Sequence, residues 1–326
     1  MQAIRIGTRG SMLAMAQARI VADALTKLSP DLAVETVPLV TKGDLRQEPL
    51  APIGQGRRSP LTAVGDLGKG LFTSRLEEAL HGGEIDLAVH SAKDVPVDMA
   101  ADLAIAAVPP RAEPADTLVS TGGWRIEDLP RGARVATGSL RRRAQLLALR
   151  PDLAVVPIRG NVESRLARAL SPGGRAEFDA AVLAAAGLER SGLLARHGRC
   201  IRRLDLEAFV PAAGQGALLV QCLAGAEAAG LAVGLNDPPS FQAVTAERSV
   251  LAALKADCHG CIAVYVAAMA GGWRALGVVA RADGGGMVRA SAEASAASQA
   301  ADLLVQRLRG MGAESLLASP PDIAPD

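Results

Sequence analysis

A chain of 326 residues, 49% hydrophobic and with a mean hydropathy of +0.22, is long enough for two or three domains, each burying its own core. No run of 18 apolar residues occurs, which excludes a membrane-spanning helix, and four cysteines exclude a disulfide-built scaffold. The net charge of +1 conceals a bias: only five of the 35 basic residues are lysine, and positions 131–175 hold ten arginines against two acids, Asp152 and Glu163. A genome rich in Ala and Arg codons accounts for arginine replacing lysine, but not for the clustering. Guanidinium clusters suit bidentate capture of carboxylate or phosphate. With 2% aromatic residues there is almost no stacking platform for nucleic acid. The balance points to a small polyanionic ligand. The amino terminus enters a strand directly, without a signal peptide, and the expectation is a cytoplasmic globular protein.

In chain order, residues 4–7 read as a strand, and Thr8-Arg9-Gly10-Ser11 turns into an apolar-periodic helix over 12–28 with Ser11 as its N-cap. Pro30 ends that helix and 32–40 is the next strand. The Pro-, Gly- and Arg-rich stretch 44–68 has the length of a lid, and Lys69-Gly-Leu-Phe72 leads from it into a helix over 73–80. Residues 85–89 form a short apolar run, expected as a buried strand. It delivers His90, Ser91, Lys93 and Asp94 in a row, just before Val95-Pro96 halts regular structure. The carboxyl end of a strand is where open α/β sheets hold ligands. A capped turn, with Asp94 bonding only local backbone, uses the same residues. A strand over 103–108 follows, and Pro109-Pro110 reads as a hinge into a second lobe.

That lobe repeats the first unit: a strand over 133–136, then Thr137-Gly-Ser139, then a helix over 140–149 stopped by Pro151. In both places a strand brings Thr, Ser and Arg to a helix start, where free backbone N–H groups favour anions. Two such units suggest two similar lobes facing a shared cleft. A strand over 154–158, the turn Arg159-Gly-Asn161 and a helix over 162–170 carrying Arg165 and Arg168 come next, then a strand over 178–184. Residues 211–216 introduce a strand over 217–222 that returns to the first lobe. The tail reads as a separate α+β unit: a helix over 241–254, the loop Asp257-Cys-His-Gly-Cys261, strands over 262–269 and 273–280, a Gly284-Gly-Gly286 turn and a final helix.

Several of these stretches, in this order, resemble the porphobilinogen deaminase (hydroxymethylbilane synthase) family of tetrapyrrole and haem biosynthesis. They are Arg5-Ile-Gly-Thr-Arg-Gly-Ser11 with Gln17, Val40-Thr-Lys-Gly-Asp44, Lys69-Gly-Leu-Phe72, 86–96, Gly138-Ser-Leu-Arg-Arg142, Arg159-Gly-Asn-Val162 with Arg165, Ala184-Ala-Ala-Gly-Leu188 with Arg190, 211–216 and Val244-Thr-Ala-Glu-Arg248. The resemblance implies an α/β fold of two periplasmic-binding-protein type II-like lobes with a cleft, plus a small C-terminal α+β domain. Lobe 1 would be 1–109 and 214–232, lobe 2 110–213, and the cofactor-bearing domain 233–326. It implies a transferase that condenses four porphobilinogen molecules head to tail into hydroxymethylbilane and releases ammonia; hydrophobic residues spread among the lobes, with no single exposed stripe, give the expectation of a monomer. The primer would be a covalent dipyrromethane cofactor made from its own substrate. Partners would be porphobilinogen and polypyrrole intermediates, with no nucleic acid, no membrane and no metal.

Loss of ammonia from porphobilinogen leaves a cation, and a carboxylate beside the pyrrole N–H can stabilise it and move protons. By resemblance Asp94 is that catalytic group. Every ring carries an acetate and a propionate, which explains an excess of arginine. The implied cofactor contacts are Cys258, through a thioether, with Lys69, Ser91, Lys93, Thr137, Ser139, Arg141, Arg142 and Arg165. The implied substrate contacts are Arg9, Ser11, Gln17, Arg159, Arg165 and Arg190. Cys200 and Cys222 read as ordinary thiols, His259 as a bystander and His90 as a residue that shapes its turn. The cysteine loop departs from the family, with Ala256-Asp257 for a Gly-Gly pair and Cys261 for a proline. Cys258-His-Gly-Cys261 also reads as a redox pair or half a zinc site. Ser74 stands where a lysine is usual. These departures leave two alternatives, a catalytically weak homologue and an anion-binding protein of the type II periplasmic fold.

Overall fold

The computed structural model describes residues 3–41, 73–171, 177–255, 261–281 and 284–318. The 44–68 stretch, Lys69 and Cys258 therefore lie outside the described residues. In the first sheet β1 (Ile4–Arg9) runs parallel to β2 (Val34–Leu39) on one side and to β3 (Leu87–Ser91) on the other. The helix α1 (Met12–Leu28) buries Ala14, Ala18, Val21 and Leu25, one stripe at helical spacing, and Ser11 caps it by accepting the Ala14 amide at 3.3 Å. Strand alternation splits β3 between two cores. Leu87 and Val89 join Ile6 under α1, while Ala88 joins Leu76 and Leu80 of α2 (Ser74–His81) on the other face. A strand covered on both faces reads as the continuous apolar run seen in the sequence.

The second sheet is built from β5 (Asp116–Val119), β6 (Arg134–Ala136), β7 (Ala154–Val156), β8 (Ala180–Ala184) and β9 (Ile201–Arg203). With β4 (Leu103–Ala107) and β10 (Leu218–Leu223) completing the first sheet, the two orders are β2-β1-β3-β10-β4 and β7-β6-β8-β5-β9. They follow one scheme. A first strand lies between its two parallel successors, then comes an antiparallel strand arriving from the other sheet, then an edge strand. The chain thus crosses between lobes twice, before β5 and before β10. In the second lobe α3 (Leu140–Leu149) starts at its cap Ser139, and α4 (Val162–Ala169) at its cap Asn161. The short α5 (Ala185–Arg190) follows β8. This is the bilobed α/β architecture that the resemblance implied.

The tail is an antiparallel meander, β11 (Cys261–Met269), β12 (Gly272–Ala280) and β13 (Met287–Ala294), covered by α6 (Pro238–Ala253) and α7 (Ala297–Gly310). Val250, Val264, Ala275, Val279, Leu304 and Leu308 form its core. Two expectations change here. Residues 287–294 are a third strand, hidden in the sequence because Met-Val-Arg-Ala-Ser-Ala-Glu-Ala is rich in small residues of low strand propensity and buries only Ala292. The helix expected over 241–254 begins at Pro238, because Asp237 accepts the Ser240 amide at 3.0 Å and proline suits the first helical position. The unit touches both lobes: Cys261, Ala263 and Val278 pack on Ala144 of α3, and Val244 packs on Ala92, Val95 and Leu219.

Candidate active site

In lobe 1 the site grows from the ends of β1 and β3. Thr8 is buried and donates to the Ala14 carbonyl at 3.1 Å, which ties the Thr8-Arg9-Gly10 turn onto α1. Gln17, one turn into α1, is buried and donates to the Ser91 hydroxyl at 3.0 Å, so Ser11, Gln17 and Ser91 stand along one edge. Arg9 is half-buried there. After Ser91 the chain makes one 3-10 turn, Ala92–Asp94, with Ala92 buried and Lys93 and Asp94 accessible. Among the described residues Asp94 accepts no hydrogen bond, which removes the capped-turn alternative. Its charge is felt instead by two cations, Lys93 beside it and Arg165 of α4 in the other lobe.

In lobe 2 the cations stand around a buried acid. Asp116 at the head of β5 is 0% exposed and accepts from Arg141 Nη2 at 2.8 Å, Arg142 Nη2 at 2.7 Å and Nε at 3.1 Å, and Gln215 Nε2 at 2.9 Å. Burial alone would raise its pKa, but the two guanidinia outweigh burial and hold the carboxyl well below the usual range. Arg141 also donates to the Val210 carbonyl at 2.7 Å and Arg142 to that of Val182 at 3.0 Å. Two cations against one carboxylate leave a net positive charge behind Lys93. That ammonium is accessible but crowded by protein, and desolvation, with Arg142 next, lowers it to about 8. Its Nζ lies 3.5 Å from Gln215 Oε1.

Arg165 is lowered to about 10, by desolvation first and then by Arg142, while Asp94 opposes both. Its Nε is buried without a partner among the described residues. A buried N–H left unsatisfied is costly, and a carboxylate oxygen would satisfy it. Thr137 follows β6 and accepts the Ser139 amide at 3.2 Å, while Ser139 accepts that of Arg142 at 3.4 Å. Arg159 is half-buried in the turn before α4, where Gly160 has φ +112 and a Cβ would lie 2.3 Å from Ser164 Oγ. Only glycine fits there. Arg190 ends α5 and donates to the Gly216 carbonyl at 2.7 Å.

The structure therefore gathers Lys93, Asp94, Arg141, Arg142 and Arg165 around Asp116 and Gln215, with Thr137 and Ser139 at the start of the same helix as the two adjacent arginines. Ser91 and Gln17 form a second group on the lobe 1 edge. His90 does not shape the turn. It is buried inside β3, 3.0 Å from Gln221 Oε1, and desolvation lowers it to about 4. Cys222 and Cys261 are buried, Cys200 half-buried, and no cluster of metal-ligating residues occurs among the described residues.

Sequence reading gave no role to four residues, Asp116, Gln215, Arg111 and Glu247, although Gln215 and Glu247 stand inside stretches that carry the resemblance. Glu247 of α6 is 0% exposed and accepts from Arg111 Nη1 at 2.6 Å, the Gly214 amide at 2.6 Å and the Val266 amide at 2.8 Å. Arg111 Nε in turn donates to the Gln215 carbonyl at 2.8 Å, so this pair ties both crossovers to the third unit. The available signal was an acid inside an apolar run, as in Ala115-Asp116-Thr-Leu-Val119.

Fold and site together define a two-lobed α/β protein whose lobes meet at a group of cations and an acid, Asp94, that accepts no hydrogen bond among the described residues. The chain belongs to the porphobilinogen deaminase family. The family model described as porphobilinogen deaminase, dipyromethane cofactor binding domain, matches residues 4–230. The porphobilinogen deaminase of Xylella fastidiosa (strain 9a5c) is 44% identical over 98% of this chain and 99% of its own. That of Syntrophotalea carbinolica is 41% identical over 97% and 96%, and that of Rubrobacter xylanophilus 42% over 96% and 95%. Among solved structures, the periplasmic aliphatic sulphonate binding protein SsuA from Escherichia coli matches 77% of this chain and 70% of its own at 19% identity and a TM-score of 0.38, too distant to bear on this chain's chemistry. No helix among the described residues is long and apolar enough to cross a membrane.

Proposed function

We propose that this chain condenses four porphobilinogen molecules head to tail into hydroxymethylbilane, with release of ammonia, on a dipyrromethane held as a thioether by Cys258. The observation that carries the mechanism is the electrostatic coupling of Asp94, a carboxylate without a hydrogen bond among the described residues, to Lys93 and to Arg165, whose Nε has no partner among them. Those groups fit a ligand with several carboxylates and a pyrrole N–H. Bound, the dipyrromethane supplies the free α-carbon to which the first substrate ring is joined. Lys93, Thr137, Ser139 and Arg165, with Ser91, Lys69 and the Arg141–Arg142 pair, would hold it. Arg9, Ser11, Gln17, Arg159 and Arg190, with Arg165, would orient the incoming ring by its acetate and propionate.

Asp94 accepts the pyrrole N–H of that ring and offsets the positive charge that spreads over it as ammonia departs. The same carboxylate then takes the proton released when the new bond is made, a role worth roughly 10²–10⁴ in rate. The guanidinia serve the other end of the problem: each ring adds two carboxylates, which fixed cations bind without reorganising. The two crossovers support a division into lobe 1 (1–109 and 214–232), lobe 2 (110–213) and a cofactor-bearing domain (233–326); the proposed working form is a cytoplasmic monomer.

The full chain, purified, should exceed its sequence mass by one dipyrromethane, give a coloured adduct with Ehrlich's reagent and turn porphobilinogen into hydroxymethylbilane. Cys258→Ala should abolish all three. Undiminished turnover by Cys258→Ala would remove the attachment site from the mechanism.

A further inference from the structure

The turn that carries Asp94 is held from the third unit of the fold by one helix stripe, in which a single side chain makes the hydrogen bonds. Helix α6 presents Phe241, Val244 and Arg248 at spacings of three and four, one stripe of a helix. Val244 is buried with Ala92, Val95 and Leu219, and Phe241 packs against the same cluster. One turn further on, Arg248 Nη1 donates to the Val95 carbonyl at 3.0 Å, and Nη2 to those of Pro96 at 2.6 Å and Val97 at 3.2 Å. Among the described residues no other donor reaches these three carbonyls. They are the first three after Asp94, in a segment without regular structure.

The other side of the turn is equally fixed. The Ala92 amide donates to the Ala217 carbonyl at 3.0 Å, and Gly214 (φ +71) lies so close that a Cβ there would stand 3.0 Å from the Lys93 nitrogen. Asp94 therefore sits between a wall made by the returning crossover and an exit whose carbonyls, among the described residues, are bonded only by Arg248. Three carbonyls fanned around one guanidinium need its planar fork, which a lysine cannot reproduce. Arg248 is half-buried, which lowers its pKa from the usual guanidinium value, and Asp98 nearby opposes that shift.

We propose that Arg248 is a positioning residue for Asp94, through which the third unit aims the carboxylate at the substrate's pyrrole N–H. This rests on Asp94 being the catalytic carboxylate, as proposed above. A displacement of about 1 Å at a reacting group can cost about a hundredfold in rate. The proposed substrate contacts Arg9, Ser11, Gln17, Arg159, Arg165 and Arg190 lie outside this turn, so the loss should fall on kcat and not on KM.

The test compares wild-type, Arg248→Ala and Arg248→Lys holoenzymes, each checked by intact mass for its bound dipyrromethane, with porphobilinogen as substrate. Arg248→Ala should keep the mass excess and a KM within about threefold of wild type, with kcat roughly 30- to 100-fold lower. Arg248→Lys should fall in between. Added methylguanidinium should restore part of kcat in Arg248→Ala and none in Asp94→Ala. A loaded Arg248→Ala enzyme with kcat within twofold of wild type, or with KM raised at unchanged kcat, overturns the inference. If Arg248→Ala does not accumulate folded, Arg248→Lys decides: kcat within twofold of wild type overturns it. A loaded wild-type enzyme without turnover overturns the parent reading and this one together, whereas wild-type turnover with unaffected variants overturns this one alone.

Discussion

Lobe 1 and lobe 2 share one strand order, and each brings an acid to the junction between them, but the two acids are in opposite states. Asp94 leaves the end of β3 accessible and without a hydrogen bond among the described residues. Asp116 begins β5 fully buried and accepts four hydrogen bonds from Arg141, Arg142 and Gln215. Residue type does not distinguish them; burial and partners do. In lobe 2 the acid is consumed in fixing the cations, whose remaining charge then acts on Lys93 and Arg165. In lobe 1 the acid is left available to a ligand. A shared topology supplies the places, and the lobe-specific side chains decide which acid is locked into the fold and which stays open to a ligand.

The largest consequence of this contrast is in stability. Asp116→Asn leaves two buried guanidinia without their counter-charge and should cost about 3–5 kcal/mol in urea unfolding. Asp94→Asn should cost no more than about 0.5 kcal/mol, as for an accessible group without partners. Equal losses would break the comparison.

A smaller effect comes from beneath the lobe 1 site. His90 is held neutral, with its pKa near 4 in the folded chain against 6.5 unfolded. Between those values the unfolded chain binds the proton and the folded chain does not, so stability falls as pH drops from 6.5 to 4, by up to about 3 kcal/mol. Below the unfolded carboxylate range Asp116 adds to the loss, because its depressed pKa makes its contribution one that acid removes. Urea titrations at pH 7, 5 and 4 measure the slope, and His90→Gln should flatten it above pH 4. A wild-type stability that does not change between pH 6.5 and 4 would contradict the buried neutral imidazole.

The smallest effect is on the hold on the cofactor. Lys93 loses its proton near pH 8, so its grip on the cofactor's carboxylates should weaken and kcat should fall as pH passes from 7 to 9. Lys93→Arg should push that fall beyond the range. A kcat independent of pH in both proteins would detach Lys93 from the cofactor's carboxylates.

Much of this was legible in the sequence, for local reasons. Helices α1 and α3 have the bounds expected of them, because Ser11 and Ser139 cap them and a proline stands just beyond each. The row from His90 to Asp94 was readable because its members are consecutive. What escaped depends on distance along the chain. Asp116 meets its partners 25, 26 and 99 positions away, and Glu247 meets Arg111 across 136. No local pattern announces such a pairing. Strands β5 and β9 are four and three residues long and carry no periodicity to detect. β13 was hidden by its alanines and serines. The role expected of His90 changed because its partner, Gln221, is 131 positions away.

The claim on which the rest depends is that Asp94 is the reacting acid and Asp116 a structural one. The most direct measurement is the steady-state rate of hydroxymethylbilane formation by holoenzyme carrying Asp94→Asn, with its cofactor content confirmed by intact mass. The expected result is a fully loaded, normally stable protein whose kcat is lower by about 10²–10⁴. A loaded Asp94→Asn enzyme turning over at the wild-type rate would contradict it.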